Sequence, residues 1–589
     1  MSNTEAGVGF AKLSPIKREL IRNALVTIAD NMIVTVIRTS RSIVVKNNLD
    51  FSSCVCDADG QLVAQGLSLP VHLGAMMPAL KGCLDYFGDD IQRGDIMASN
   101  DPYSGASHLN DIFMFTPIFA PNGDRIAFVC LILHHTDMGG RVPGGNATDS
   151  TEIFQEGLRI PPSKIYVAGE PNTTLFRIIE TNVRVPEMVI GDVRSQIAAL
   201  QVAERELIKL FDDYDPAELK AYMTDLIDYS ERLTRAGIAA LPDGEVEFTD
   251  WNDDNGMLDG EPVKFQVKLT VKGDEMVVDF TGTSPQTSGA TNPNFWFTVS
   301  CTYAAIRTVL GPDIHNNAGV FRPIEVIAPE GCFVNPMFPA PVGARGQAGH
   351  RVRSTVLGVL AQLLPDKMPA CPGGSEMAVV FAGYYKDRSP FLLLEFHNMT
   401  GHGGGPNRDG QEAGPYCLGN VANVSVEVLE AESPVMIEEY AFLPDTGGVG
   451  KFRGALGIVR QYRLLGADEA TVQVRSDRQK FRPWGVQGGG GGAPGKCIMN
   501  PATETKVMPS KFIGKMRRGE VFRGEMPGSG GYGNPFERDP EAVLEDIRQE
   551  KMTVAHARAA YGVVLDAATM TIDAAATEAE RIRVRETSA

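Results

Sequence analysis

Two His-x-x-Asp tetrads, His108-Leu109-Asn110-Asp111 and His134-His135-Thr136-Asp137, flank two apolar runs, Ile112 to Ala120 and Ile126 to Leu133. Imidazole nitrogens and carboxylate oxygens together suit a borderline-to-hard divalent ion such as zinc, manganese or iron. For these groups to act together, the chain must fold back between them. Pro121-Asn122-Gly123-Asp124 separates the runs, and Asn-Gly between apolar runs is the strongest short hairpin signal, because both central residues of its turn need φ > 0. With Asn122 and Gly123 as a two-residue loop, Asp111 falls opposite His134, and His108 opposite Asp137. Directly opposed residues stand about 5 Å apart at Cβ and share a face, so the hairpin carries two imidazoles and two carboxylates to its open end. A one-residue slip would reverse the faces. His108 and Asp111 are also an odd number of positions apart, which a regular strand sends to opposite faces. All four groups converge only if the strands bulge or end near Asp111 and His134.

The flanking elements must hold that hairpin. Ser14-Pro15 reads as a helix start, with helical apolar spacing through Leu20, Ile21, Leu25, Ile28 and Met32 to about Arg38. Phe51 to Cys56 and Gln61 to Gln65 read as strands joined by Asp57-Ala58-Asp59-Gly60. Residues 73–88, 183–213 and 215–236 read as helices, with Pro186 in the first turn of its helix or marking its start. After Leu241-Pro242-Asp243-Gly244 the pattern turns to strands, 265–271 and 276–280, interrupted by helices near 297–310 and 350–364. Val424 to Val428 and Ile458 to Leu465 read as strand pieces in a glycine-rich region. Residues 540–551 and 554–561 read as helical. The expected architecture is α+β and multi-domain, with antiparallel hairpins. Residues 1–245 form an N-terminal α/β metal-site domain, 246–420 a central α+β domain, 421–535 a glycine-rich β region and 536–589 a helical tail.

Composition narrows the function classes. A chain of 589 residues exceeds a single core. A net charge of −18 argues against nucleic acid as partner, since phosphate binding needs a basic face. No basic-then-apolar leader opens the chain, and uninterrupted apolar stretches are too short to span a bilayer. The nine cysteines are scattered and odd in number, with Cys54-x-Cys56 the nearest pair and no Cys-x-x-Cys. A reducing cytoplasm is expected, and a cysteine zinc site is not. Gly490 to Cys497 has P-loop spacing, but Cys stands where Ser or Thr should hold magnesium, and Ile498-Met499-Asn500-Pro501 follows where a helix is required. Gly528 to Gly533 matches G-x-G-x-x-G without a βαβ setting. Neither reads as an ATP site.

Several ordered motifs resemble the hydantoinase B/oxoprolinase family: Arg38-Thr39, Asp50-Phe51-Ser52-Ser53, Pro70-Val71-His72-Leu73-Gly74, Asn100-Asp101-Pro102-Tyr103 and the two His-x-x-Asp tetrads. Further along come Asp149-Ser150-Thr151-Glu152, Gln155 to Pro162, Asp279 to Thr283, Asn317-x-Gly319 with Arg322-Pro323, and Gly528 to Gly533. The resemblance runs nearly end to end. It implies a two-component, hetero-oligomeric enzyme that opens cyclic amides (lactams, hydantoins or 5-oxoproline). An A-type partner of the actin-like ATPase class uses ATP to phosphorylate the substrate oxygen. A divalent ion on this chain lowers the pKa of its water from 15.7 toward about 7 and delivers hydroxide.

The resemblance further implies Asp50, His108, Asp111 and His134 as ligands, with His135 competing and Asp137 orienting an imidazole. Relatives often carry Glu where this chain has Asn47, a departure that bears on metal preference. His72 reads as a general acid or base beside the metal, or as a structural histidine. Glu152 and Glu156 share a face if their segment is helical and could do acid–base work; a solvated face or a partner contact is the alternative. Arg345, His350 and Arg351 are candidates to hold a phosphorylated intermediate. His397, His402 and Asp409 read first as loop structure. Two other functions stay open: the subunit of an ATP-dependent acetone- or acetophenone-type carboxylase, and a scaffold for the ATPase.

Overall fold

The computed structural model describes residues 13–67, 70–257, 260–375, 377–397, 400–414, 422–566 and 569–588. Pro15 opens α1 (Pro15–Thr39), whose stripe Ile21, Leu25, Ile28, Met32 and Val36 is buried. Among the described residues this helix alone is long and apolar enough to cross a membrane. Here its inward face packs on a long helix and a strand of the first sheet. A short α2 (Ile43–Lys46) leads into the hairpin of β1 (Phe51–Asp57) and β2 (Leu62–Gln65). Asp57 Oδ1 closes that turn by accepting from the Asp59 and Gln61 N–H groups. α3 (Leu73–Phe87), β3 (Ile96–Ser99), β4 (Asp111–Phe119), β5 (Arg125–His134), β6 (Ser163–Val167) and β7 (Glu170–Pro171) follow. The strands form one antiparallel sheet in the order β2-β1-β5-β4-β3-β6-β7.

The helix read at 183–213 is α5 (Pro186–Asp213), and a helix that the sequence reading does not include, α4 (Thr173–Asn182), precedes it. Asn172 caps α4 by accepting from Leu175 N–H, and Pro186 starts α5 with its preset φ. α6 (Pro216–Ala239) follows. α1 and α5 cover one face of the sheet. Gln196 on α5 is buried and donates to the Ile112 and Leu131 carbonyls at 2.9 and 2.8 Å, tying helix to hairpin. The central segment forms β8 (Gly244–Asn252), β9 (Val263–Lys272), β10 (Glu275–Asp279), α7 (Phe295–Ile306), α8 (Ala318–Phe321), β11 (Ile324–Ile327) and α9 (Gly346–Leu363). Its sheet runs β11-β10-β9-β8. α9 packs between α7 and that sheet, and one apolar core joins Ile21 at one extreme to Phe396 at the other.

β12 (Met377–Tyr384), β13 (Pro390–His397), α10 (Val426–Glu432), β14 (Val435–Leu443), β15 (Gly457–Leu464), β16 (Glu469–Arg475), β17 (Lys496–Met499), β18 (Lys506–Met508), β19 (Lys511–Arg517) and β20 (Val521–Glu525) complete two antiparallel sheets, β13-β12-β16-β19 and β14-β15-β20-β17-β18. They share a second core around Phe381, Tyr462, Val472 and Phe522. The strand expected at 424–428 is instead the capped start of α10, because Ser425 Oγ accepts from Val428 N–H. The glycines of 528–533 pack backbone to backbone: Gly448 N–H donates to Ser529 O at 2.7 Å, and a Cβ on Gly530 would meet Trp484 O at 2.0 Å. α11 (Pro540–Arg548) and α12 (Val554–Tyr561) follow.

Candidate metal centre

β4 and β5 pair in the register Asp111↔His134 through Ile118↔Ala127. The turn is wider than the expected two residues. Ala120 N–H donates to Asp124 O at 2.9 Å and Gly123 N–H to Ala120 O at 3.0 Å, so the loop is Pro121, Asn122 and Gly123, with Gly123 at φ +93°. That loop shifts the register by one residue. A bulge between Ile118 and Phe119 shifts it back, leaving Ile126 unopposed. The two offsets cancel before the chain reaches the site.

β4 begins at Asp111, and a tight turn folds the preceding residues over it: Asp111 N–H donates to His108 O at 3.0 Å. This strand end lets residues three apart converge. His108 Nε2 lies 3.2 Å from Asp111 Oδ1, and the His108 and His134 ring centroids are 5.0 Å apart. One ligand atom from each of His108, Asp111 and His134 lies within 4.8 Å of the others. All three side chains are buried. His108 Nε2, Asp111 Oδ1 and His134 Nδ1 make no hydrogen bond. Three buried atoms with lone pairs, turned toward one another and otherwise unsatisfied, match the donor set of a divalent metal.

The remaining valences orient these groups. His108 Nδ1 lies 3.3 Å from Gly343 O. Asp111 Oδ2 accepts from Ser107 Oγ and from Arg345 Nη2, the latter at 2.7 Å. Arg345 stands at the position before α9 and lies over the Phe297 ring at 4.3 Å. His134 meets the edge of Phe396. Burial and the Arg345 guanidinium hold His108 below its ordinary range, and burial with His108 holds His134 well below. Burial alone would raise Asp111, but His108 and Arg345 keep its carboxylate well below the usual range. Neutral imidazoles beside an ionised carboxylate are the protonation states that ligation requires.

The other expected residues divide. Asp50 opens the approach to β1, and its carbonyl accepts from His134 N–H at 3.1 Å. Its carboxylate falls outside the 4.8 Å set but lies 3.8 Å from His72 Nε2. His72 Nδ1 is 2.8 Å from Ser52 Oγ, and burial lowers this imidazole to about 4. His135 is turned toward Asp192 and Gln196 on α5. Asp137 does not face His108. It accepts from Gly144 N–H at 2.9 Å and from Arg184 N–H and Nη1 at 2.6 and 3.1 Å. Asn47 caps the C-terminal end of α2.

Glu152 and Glu156 do not share a helix face. Their segment is a single 3-10 turn, with Glu152 exposed and Glu156 buried. Arg351 is engaged elsewhere, in a buried network with Asp250 and Asp477. Asp409 pairs with Arg538. The side chain of His397 lies outside the described set.

Two residues that the sequence offers as candidates for other roles, Arg345 and Glu156, support the site through contacts that spacing does not show. Arg345 was not matched to Asp111, because 234 positions separate them. Glu156 accepts from Gly343 N–H at 2.7 Å, and Gly343 O in turn meets His108. A Cβ on Gly343 would stand 3.0 Å from Glu156 Cδ, so the glycine allows that approach. Burial pushes the Glu156 carboxyl up to about 8.

A model of the hydantoinase B/oxoprolinase family matches residues 14–535. The chain belongs to that family. It is 30% identical over 587 residues to the caprolactamase subunit beta of Pseudomonas jessenii, covering 97% of this chain and 99% of that one. An uncharacterised protein of Methanocaldococcus jannaschii is 34% identical over 559 residues, covering 94% and 96%. The crystal structure of the ATP-dependent caprolactamase from Pseudomonas jessenii superposes with a TM-score of 0.90 at 29% identity, covering 97% of this chain and all of the matched one. The nucleotide-free structure of acetone carboxylase superposes with a TM-score of 0.89 at 18% identity, covering 98% and 83%, a likeness of fold.

Proposed function

We propose that this chain is the metal-dependent subunit of a two-component, ATP-dependent hydrolase of cyclic amides (lactam, hydantoin or 5-oxoproline), working in the cytoplasm with an A-type ATPase subunit. The observation that carries the reading is the convergence of His108, Asp111 and His134 with unsatisfied ligand atoms. The likeness to a caprolactamase subunit over almost the whole chain supports the substrate class.

An unstrained amide carbonyl is a poor electrophile. Phosphorylation of its oxygen on the partner supplies the missing leaving group, and a zinc, manganese or iron ion held by the three residues supplies Lewis acidity for water activation. Arg345 keeps Asp111 ionised and aims Oδ1 at the site. A histidine held at about 4 is neutral at working pH and exchanges protons poorly there. In this reading His72 therefore orients Asp50, and Asp50 accepts the proton. Arg345 and Arg475 place positive charge around the imidazoles, which favours an anionic, phosphorylated substrate.

The test mixes the chain with its partner ATPase, ATP and a panel of cyclic amides, with and without bicarbonate. ATP-dependent ring opening without bicarbonate is expected. ATP turnover that requires bicarbonate and a ketone would replace this reading with a carboxylase. Equal ring opening by the partner alone would leave the chain a scaffold.

A further inference from the structure

The register of the first sheet makes a second cluster of ligand atoms, of opposite chemical character. β1 pairs with β5 so that Cys54 stands directly opposite Cys130, and Cys56 lies two positions along β1 on the same face. The three sulfurs lie within 4.8 Å of one another, with Cys54 Sγ 4.0 Å from Cys56 Sγ. All are buried, and the same face carries Phe115, Phe128 and Ile132. Cys130 and His134 lie four positions apart on one face of β5, or about 13 Å. The sulfur cluster is thus distinct from the His108 centre.

A triangle of sulfurs with 4.0 Å sides has its centroid about 2.3 Å from each, a metal–thiolate bond length, and one with 4.8 Å sides about 2.8 Å, so small side-chain shifts complete the shell. Among the described residues no histidine, carboxylate or fourth cysteine joins the group. Zinc, which wants four ligands, is therefore poorly served, whereas soft thiolate and thioether sets select copper(I). A void of about 10 Å³ adjoins Cys54, lined also by Met76 and His72.

We propose that Cys54, Cys56 and Cys130 form a trigonal site for a soft monovalent cation of the copper(I) type, on the strands that also carry the His108–Asp111–His134 centre. The inference does not rest on the proposed hydrolase activity. Each sulfur that ligates as thiolate releases its proton to solvent.

The experiment titrates the full, reduced chain with copper(I) under anaerobic conditions against a coloured copper(I) chelator, and records X-ray absorption of the loaded protein. One copper(I) per chain with a shell of three sulfurs near about 2.3 Å is expected. Cys54→Ser and Cys130→Ser should weaken the binding by about 100-fold or more, while Cys371→Ala and His108→Ala retain it. Failure of the parent to hold copper(I) against the chelator would overturn the proposal, as would parental affinity in Cys54→Ser. Should the serine variants not fold, the parent spectrum decides: a shell dominated by nitrogen or oxygen also overturns it.

Discussion

Arg345 Nη2 lies 2.7 Å from Asp111 Oδ2, on the side of the carboxylate away from His108. The two residues come from distant parts of the chain, one at the start of a strand and one at the cap of a helix. This pair leaves Oδ1 as the free oxygen and explains why an aspartate so deeply buried stays ionised.

Removing one partner of a buried ion pair costs about 3–5 kcal/mol, because the other charge is left uncompensated. Arg345→Met should therefore lower stability by about that amount in the metal-free protein. A divalent ion supplies positive charge beside the same carboxylate, so the loss should shrink on metal loading. Thermal unfolding of parent and variant, with and without zinc or manganese, checks this. An equal loss in both states would show that Arg345 acts independently of the site.

His134 and His135 are adjacent but face opposite ways. His134→Ala should weaken metal binding by at least about 100-fold, more than the loss of a supporting contact costs. His135→Ala should leave metal affinity within a few-fold. Equilibrium dialysis of the two variants separates them.

Asp50→Asn should keep its metal but lose about 10²–10⁴ in turnover, the usual contribution of a positioned acid or base. Loss of metal together with turnover would make Asp50 a ligand instead. Paired metal content and turnover measurements give the answer.

Glu156 sets a pH dependence of stability. Its carboxyl is raised from 4.5 to about 8 in the folded chain, so between those values the folded state binds more protons than the unfolded one. Its stabilising contribution is fully present below 4.5 and is lost as pH rises through about 8, at up to about 1.4 kcal/mol per pH unit. Glu156→Gln should flatten that decline while keeping the acceptor for Gly343 N–H. Denaturant unfolding from pH 5 to 9 measures the difference, and parallel profiles for parent and variant would contradict it.

The hairpin was legible because its two apolar runs and its Pro-Asn-Gly-Asp break are local signals. Its turn was misread by one residue and its strand by a bulge, and the register at Asp111 and His134 survived because these errors oppose each other. Asp137 was misplaced because the chain leaves the strand after His134, so extrapolating the pairing to His108 had no ladder to follow. Arg345, Glu156 and the meeting of Cys130 with Cys54 depend on tertiary packing between distant segments, for which period and spacing carry no signal. The α4 helix is absent from the sequence reading because its start is marked only by Asn172. The glycine runs imitated phosphate loops because close backbone packing also demands glycine.

The most direct test of the account is metal analysis of the purified chain beside His108→Ala, each after reconstitution with zinc, manganese or iron. About one divalent ion per chain in the parent and its loss in the variant is the predicted result. No metal in the parent under any of these conditions, or equal metal in both proteins, would contradict a metal centre built on His108, Asp111 and His134.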